Sequence, residues 1–305
     1  MLLKILLGLL LSAPAGAAPL APLSDADFSG AVFGALKDFA SQAASVRASI
    51  DNDDLRDMLA DRDASVRQAA LVAARDHMGD SRIRDIVRGM ARDGREETAV
   101  RREAVRTLLW GSHMSEVRDT LMDLARSERD VPVRVMACKV LYFAASSQSD
   151  ARDRLLDLAK SERQEEVRQA AVWGLFDSVN HSEVRDVLRD IAFGSREDED
   201  LRAEALKSLY GAMGHSDVKD KVYDLARSAY GSQSLRVVAV YVLSAAAGDS
   251  RVRDLLEDMS KRETGELRLA AIKAQSLDVQ FFRTYFHLGY RMGPHGPYIS
   301  PIVNE

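Results

Sequence analysis

The sequence predicts an all-α solenoid, a superhelix of about seven helix-turn-helix repeats. Three observations predict it. An apolar residue followed by arginine returns every 32–34 residues; an alanine follows each of these pairs at the same place; and a second column, opening on serine, runs between them. Self-similarity at a period of roughly 20–50 residues marks units that bury their apolar faces only against copies of themselves.

In chain order, the first segment stands apart from the repeats. Residues 1–17 combine a lone Lys4, the apolar run Ile5 to Leu11 and the small triplet Ala15-Gly16-Ala17, the pattern of a secretory signal peptide cleaved near Ala17. The apolar run is too short to span a bilayer, and membrane insertion is not expected. The expected localisation is exported, periplasmic or secreted. Residues 18–28 read as a linker. Residues 29–63 read as N-terminal capping helices: a first helix over 29–50 carries Val32, Phe33, Leu36, Phe39 and Val46, and a shortened second holds Leu55-Arg56-Asp57.

The repeat array spans residues 64–276. Its first column is Val66-Arg67, Val100-Arg101, Val133-Arg134, Val167-Arg168, Leu201-Arg202, Leu235-Arg236 and Leu267-Arg268. Four residues after each apolar anchor stands Ala70, Ala104, Ala137, Ala171, Ala205, Ala239 or Ala271, and eight after it Ala74, Leu108, Leu141, Leu175, Leu209, Leu243 or Gln275. The second column reads serine, any residue, apolar, basic, aspartate, opening at Ser81, Ser115, Ser149, Ser182, Ser216 and Ser250. It continues through Val87, Leu121, Leu155, Leu188, Val222 and Leu256 to an apolar residue three further on. Such spacings lie on one helical face. Each serine is expected to cap its helix N-terminus, and Pro132 suits the first turn of the helix around Val133. The column alanines let helices of neighbouring repeats approach closely.

Taken together, valine-arginine with alanine three residues on, then a turn and a second amphipathic helix, resembles the HEAT-like repeats of phycobilisome lyases over residues 53–276. The loops before the apolar-arginine helices, such as Arg126 to Asp130 and Lys160 to Arg163, are longer than that family's short turn, which only Asp61-Arg62-Asp63 matches. The resemblance implies that the apolar-arginine helices lie on the convex side and the serine helices line the concave side. Residues 277–305 read as a capping helix to about His287 and an extended tail rich in aromatic residues and proline.

The composition narrows function. The chain carries 42 basic and 47 acidic side chains. That acidic balance argues against nucleic acid as a partner, because binding it requires a basic stripe. The one cysteine, Cys138, sits among apolar residues and reads as a buried small hydrophobe. No phosphate loop, nucleophile elbow or zinc-binding motif occurs, so neither catalytic residues, cofactor nor metal is expected. His113, His181 and His215, with Asp80 and Asp249, fall at helix turns and read as polar turn residues.

The serine helices carry aspartate columns on their outward face, including Asp119, Asp153, Asp186 and Asp220, and aspartate-base pairs three residues apart. The exceptions are Met122, Leu156, Phe193 and Tyr223, which would form an apolar strip on the concave wall. Strip and aspartates together are the expected binding site. The expected function is a non-catalytic exported scaffold for a protein or peptide partner. Two alternatives remain at this stage: a lyase-type enzyme or subunit that holds a substrate protein, and a structural envelope component.

Overall fold

The computed structural model describes residues 50–229, 232–276, 288–293 and 296–301. The chain divides after Asp51 into two units, and the account below concerns the second, Asn52–Glu305. The expected signal peptide, linker, first helix over 29–50 and capping helix up to His287 lie outside the described residues.

A short helix α1 (Asn52–Leu59) opens the unit. The apolar-arginine helices are α2 (Ala64–Ala73), α4 (Thr98–Thr107), α6 (Val131–Ala145), α8 (Glu165–Gly174), α10 (Glu199–Ser208), α12 (Gln233–Leu243) and α14 (Gly265–Ser276). Between them come the serine helices α3 (Ser81–Arg92), α5 (Ser115–Ser127), α7 (Ser149–Ser161), α9 (Ser182–Phe193), α11 (Ser216–Arg227) and α13 (Ser250–Arg262). The two helix types form two layers of one stack, an α-solenoid. After Ser276 the described residues hold a two-stranded antiparallel hairpin, β1 (Leu288–Gly293) on β2 (Gly296–Pro301), with Tyr290 opposite Ile299. The expected extended tail thus contains a paired hairpin.

Helix starts depart from expectation by one residue. The serines occupy the first helical position, and the cap is the residue before them. Asp80 shows why: its carboxylate accepts from the amides of Arg82 and Ile83 at 2.8 and 3.1 Å, which a hydroxyl one residue later cannot do. Asp249 caps α13 likewise. At Met114, Gln148, His181 and His215 no side chain caps the helix.

All seven column alanines are buried, and so are the leucines eight residues after the anchors. At the last repeat Gln275 replaces leucine and donates its side-chain amide to the Leu256 carbonyl at 2.9 Å. The closest approach is at Gly174, where an added Cβ would stand 2.9 Å from a Leu155 methyl and 3.1 Å from the Cys138 carbonyl oxygen.

The column arginines explain the long loops. Each of Arg101, Arg134, Arg168, Arg202 and Arg236 donates through Nε to a carbonyl at the end of the preceding serine helix, respectively Ala91, Ala125, Ala159, Ala192 and Ala226. These carbonyls have no intrahelical partner, so a cation there is doubly favourable. The other end of the guanidinium reaches a glutamate of the next loop: Arg67 to Glu96, Arg101 to Glu128, Arg134 to Glu162, Arg168 to Glu197 and Arg236 to Glu263. The extra loop length delivers that glutamate, and each rung ties one repeat to the next.

The two layers are packed unequally. Successive apolar-arginine helices lie closely against one another along the stack, while successive serine helices touch far less. A stack tighter in one layer bends toward it, so the apolar-arginine helices form the inner, concave layer. This reverses the assignment implied by the family resemblance.

Candidate binding surface on the inner helix layer

On each inner helix the anchor and the residues four and eight after it face the stack, so positions two, six and nine to ten after the anchor lie on the opposite face. Position six holds Val72, Arg106, Lys139, Trp173, Lys207 and Tyr241; positions nine and ten add Arg75, Trp110, Tyr142, Phe143, Phe176 and Tyr210. Both tryptophans of the chain are in this set. Most of these side chains are half-buried, and Tyr142, Trp173 and Tyr241 are buried, although they lie on the outward side of their helices. Closely stacked helices make them shield one another.

Their contacts run from repeat to repeat. The Arg75 guanidinium lies 4.8 Å from the Trp110 ring centre and pairs with Glu103 at 2.6 Å. Glu103 also holds Arg106 at 2.9 Å. Tyr142 packs on Trp173 of the next repeat, with ring centres 5.1 Å apart, and meets Phe143 edge-on. Its hydroxyl donates to the Asp177 carboxylate. Burial, and then the negative charge of Asp177, push the Tyr142 phenol well above its ordinary pKa. It therefore remains a donor.

Charge in this row is unevenly met. Lys207 pairs with Glu204 at 3.5 Å. Among the described residues, neither Arg102 nor Lys139 has a carboxylate at ion-pair distance. The Lys139 ammonium is held below the usual lysine range first by burial and then by the positive charge of Arg102.

The residues expected to form the site lie in the other layer. Asp119, Asp153, Asp186 and Asp220 are exposed on the serine helices. Met122, Phe193 and Tyr223 are half-buried, and Leu156 is buried at 4% exposure, so the four do not make an exposed apolar strip. Met122, Leu156 and Tyr223 stand five residues after the first apolar residue of their serine helices, Phe193 nine, and cations of the next repeat cover the two aromatic side chains. Lys221 stands 5.5 Å from the Phe193 ring centre, and Tyr223 lies under Arg251 at 4.0 Å. The expected aspartate-base pairs three residues apart form at Asp85–Arg88 and Asp186–Arg189, 2.9 and 2.8 Å, whereas Asp123 meets Arg92 of the preceding repeat at 3.4 Å and Lys261 and Arg262 pair with Glu257 and Asp258.

Cys138 is buried, and burial pushes its thiol up to about 12. It is a packed apolar side chain. The turn carboxylates are engaged by helix amides, and Asp249 also by Lys219. Among the described residues no three His, Cys, Asp or Glu side chains gather as metal ligands would, and no helix is long and apolar enough to cross a membrane.

The sequence alone did not single out the inner row, although the signal was present. Six residues after the anchor, every repeat after the first carries a basic or aromatic side chain, where a solvated helix face carries mixed polar residues.

The sequence profile of HEAT repeats matches residues 95–176 and 153–233. No curated protein sequence matches the chain. Among solved structures, Kap95p bound to RanGDP is similar at 10% identity and TM-score 0.53, the alignment covering 76% of this chain and 34% of that one. The CpcE and CpcF complex of phycocyanin lyase from Nostoc sp. aligns at 14% identity, TM-score 0.44, over 75% of this chain and 94% of that one. Human deoxyhypusine hydroxylase aligns at 15% identity, TM-score 0.34, over 77% and 88%. The likeness to Kap95p is one of fold.

Proposed function

We propose that this chain, built of HEAT repeats, is a non-catalytic scaffold that binds a polypeptide along its inner helix layer. The observation that carries this is the row of aromatic and cationic side chains from Arg75 to Tyr241, which crosses six repeats and contains both tryptophans. Aromatic and arginine side chains dominate the energetics of protein interfaces, and semi-enclosed positions favour them further by excluding water. A continuous row several repeats long suits an extended partner rather than a small molecule, which a single pocket would hold. Kap95p, which shares the fold, binds RanGDP. The pattern of residues 1–17 supports export, and with it a partner met outside the cytoplasm.

A photo-activated crosslinker placed at position 110 or 173 tests the reading against the opposite layer. Polypeptide adducts from those two positions, and none from positions 119 or 186, are expected in cells. Adducts from 119 and 186 alone would move the site to the aspartate columns of the serine helices.

A further inference from the structure

The inner row carries its positive charge in one place. Arg102 and Arg106 stand one turn apart on α4, and Lys139 on α6 has the same repeat position as Arg106, so it is the next step along the row. Arg106 shares Glu103 with Arg75, and its buried Nε has no hydrogen-bond partner. Arg102 and Lys139 have no ion-pair partner among the described residues. Burial and then the charge of Arg102 hold the Lys139 proton less tightly than usual, against the opposing pull of Glu204. In a chain of net charge −5, a half-buried group of three cations, of which only Arg106 is ion-paired among the described residues, is a local excess that composition does not explain. Partly buried charges without a counter-ion are unfavourable, and an anion from outside relieves that cost.

Beside the cluster lie apolar surfaces. Trp110 follows the two arginines in the same repeat and packs against Arg75, and Tyr142, one turn after Lys139 on α6, stacks on Trp173 of the next repeat. Adjacent helices of such a stack are roughly 8–10 Å apart, and a peptide in the polyproline II conformation advances about 3.1 Å per residue and turns the same face to the wall every third residue. A side chain at the cations and one on the aromatic stack are therefore about three residues apart on one face of it. We infer that the partner segment is an acidic peptide, whose carboxylate sits between Arg102, Arg106 and Lys139 while an apolar side chain three residues along rests on Tyr142 and Trp173. This rests on the polypeptide-binding reading above and adds the partner's chemistry to it.

The two tryptophans make the row its own reporter. The intact protein is titrated with a soluble serine-glycine peptide bearing two Glu-x-x-Leu units, and tryptophan fluorescence is followed. The same peptide with Lys for Glu, and inorganic phosphate alone, serve as comparisons. Saturable quenching by the glutamate peptide is expected, weakened by salt and at least about tenfold weaker for the lysine peptide. The double variant Arg102→Gln, Lys139→Gln should lose about tenfold in affinity with an unchanged melting temperature. The charge-reversed variant Lys139→Glu should bind the lysine peptide instead. Equal binding of both peptides by the native chain would overturn the charge assignment and leave polypeptide binding standing. Saturation by phosphate at the same concentrations would make this an anion site and not a peptide site. No response to either peptide would overturn both.

Discussion

The two helix layers are made from the same repeat, yet their outward faces differ in residue type and in burial. In the outer layer, aspartates such as Asp153 and Asp186 point into solvent, and pairs such as Asp258–Arg262 join side chains that are themselves 51% and 80% exposed. In the inner layer the outward positions are aromatic or cationic and mostly half-buried. The difference follows from spacing along the stack. Helices drawn together by the column alanines and by Gly174 crowd the side chains on their free face, whereas helices held apart leave theirs hydrated. A charge is inexpensive in the second setting and consequential in the first.

The sharpest way to break this contrast is to delete an arginine from each layer. Arg134→Ala strands Glu162 and the Ala125 carbonyl beside a guanidinium site that is 8% exposed, and should cost about 3 kcal/mol in urea unfolding. Arg262→Ala in the outer layer should cost under about 0.5 kcal/mol. Similar losses from both would mean the layers are not distinct. Next, Ala171→Leu should cost roughly 1–3 kcal/mol by forcing inner helices apart, against about 0.5 kcal/mol or less for Asp153→Ala, measured by the same denaturation.

Acid sharpens the comparison by titrating the rungs. Hydrogen bonds from Arg67 and Arg168 hold Glu96 and Glu197 below the ordinary glutamate range. A folded pKa lower than the unfolded one stabilises fully above the unfolded value, about 4.3, and that contribution is lost as pH falls through the lowered values. Tm should therefore hold level through neutral pH and drop steeply below about pH 4, and Glu197→Gln should make the drop shallower. A drop of the same steepness in that variant would remove the rungs as its cause. Within the inner layer the smallest expected effect is Tyr142→Phe: about 1 kcal/mol for the lost bond to Asp177, with a clear change in near-ultraviolet circular dichroism because Tyr142 stacks on Trp173.

Periodicity made the helices legible. Anchors, alanines and leucines carry the fold in residue type and spacing, and these recur because each repeat solves the same packing problem. The glutamates of the rungs were equally regular, four or five residues before each following anchor, but a loop glutamate looks like solvated surface until its arginine is in place. Caps were misplaced by one residue because serine and aspartate compete for the role, and Asp80 offers two acceptor geometries with a full charge. The binding row was harder to read. Whether a helix face is concave depends on how closely its neighbours stand, a relation between repeats that no single repeat encodes. Met122 and Tyr223 drew attention as exceptions in the layer wrongly taken to be concave. Trp110 and Trp173, in the other layer, break no repeat column and so were not singled out.

One rung of the arginine-glutamate series is missing. Arg202 keeps its bond to the Ala192 carbonyl, but residues 228–232, where the partner glutamate would stand, include no acid. In a linear array each repeat is secured only by its neighbours, and strength along it is that of successive joints. At this joint the hydroxyls of Ser232 and Ser234 donate to Glu199 instead, and a hydroxyl holds a carboxylate less strongly than a guanidinium does, so tension applied to the two ends of the spring is expected to open it first between α10 and α12.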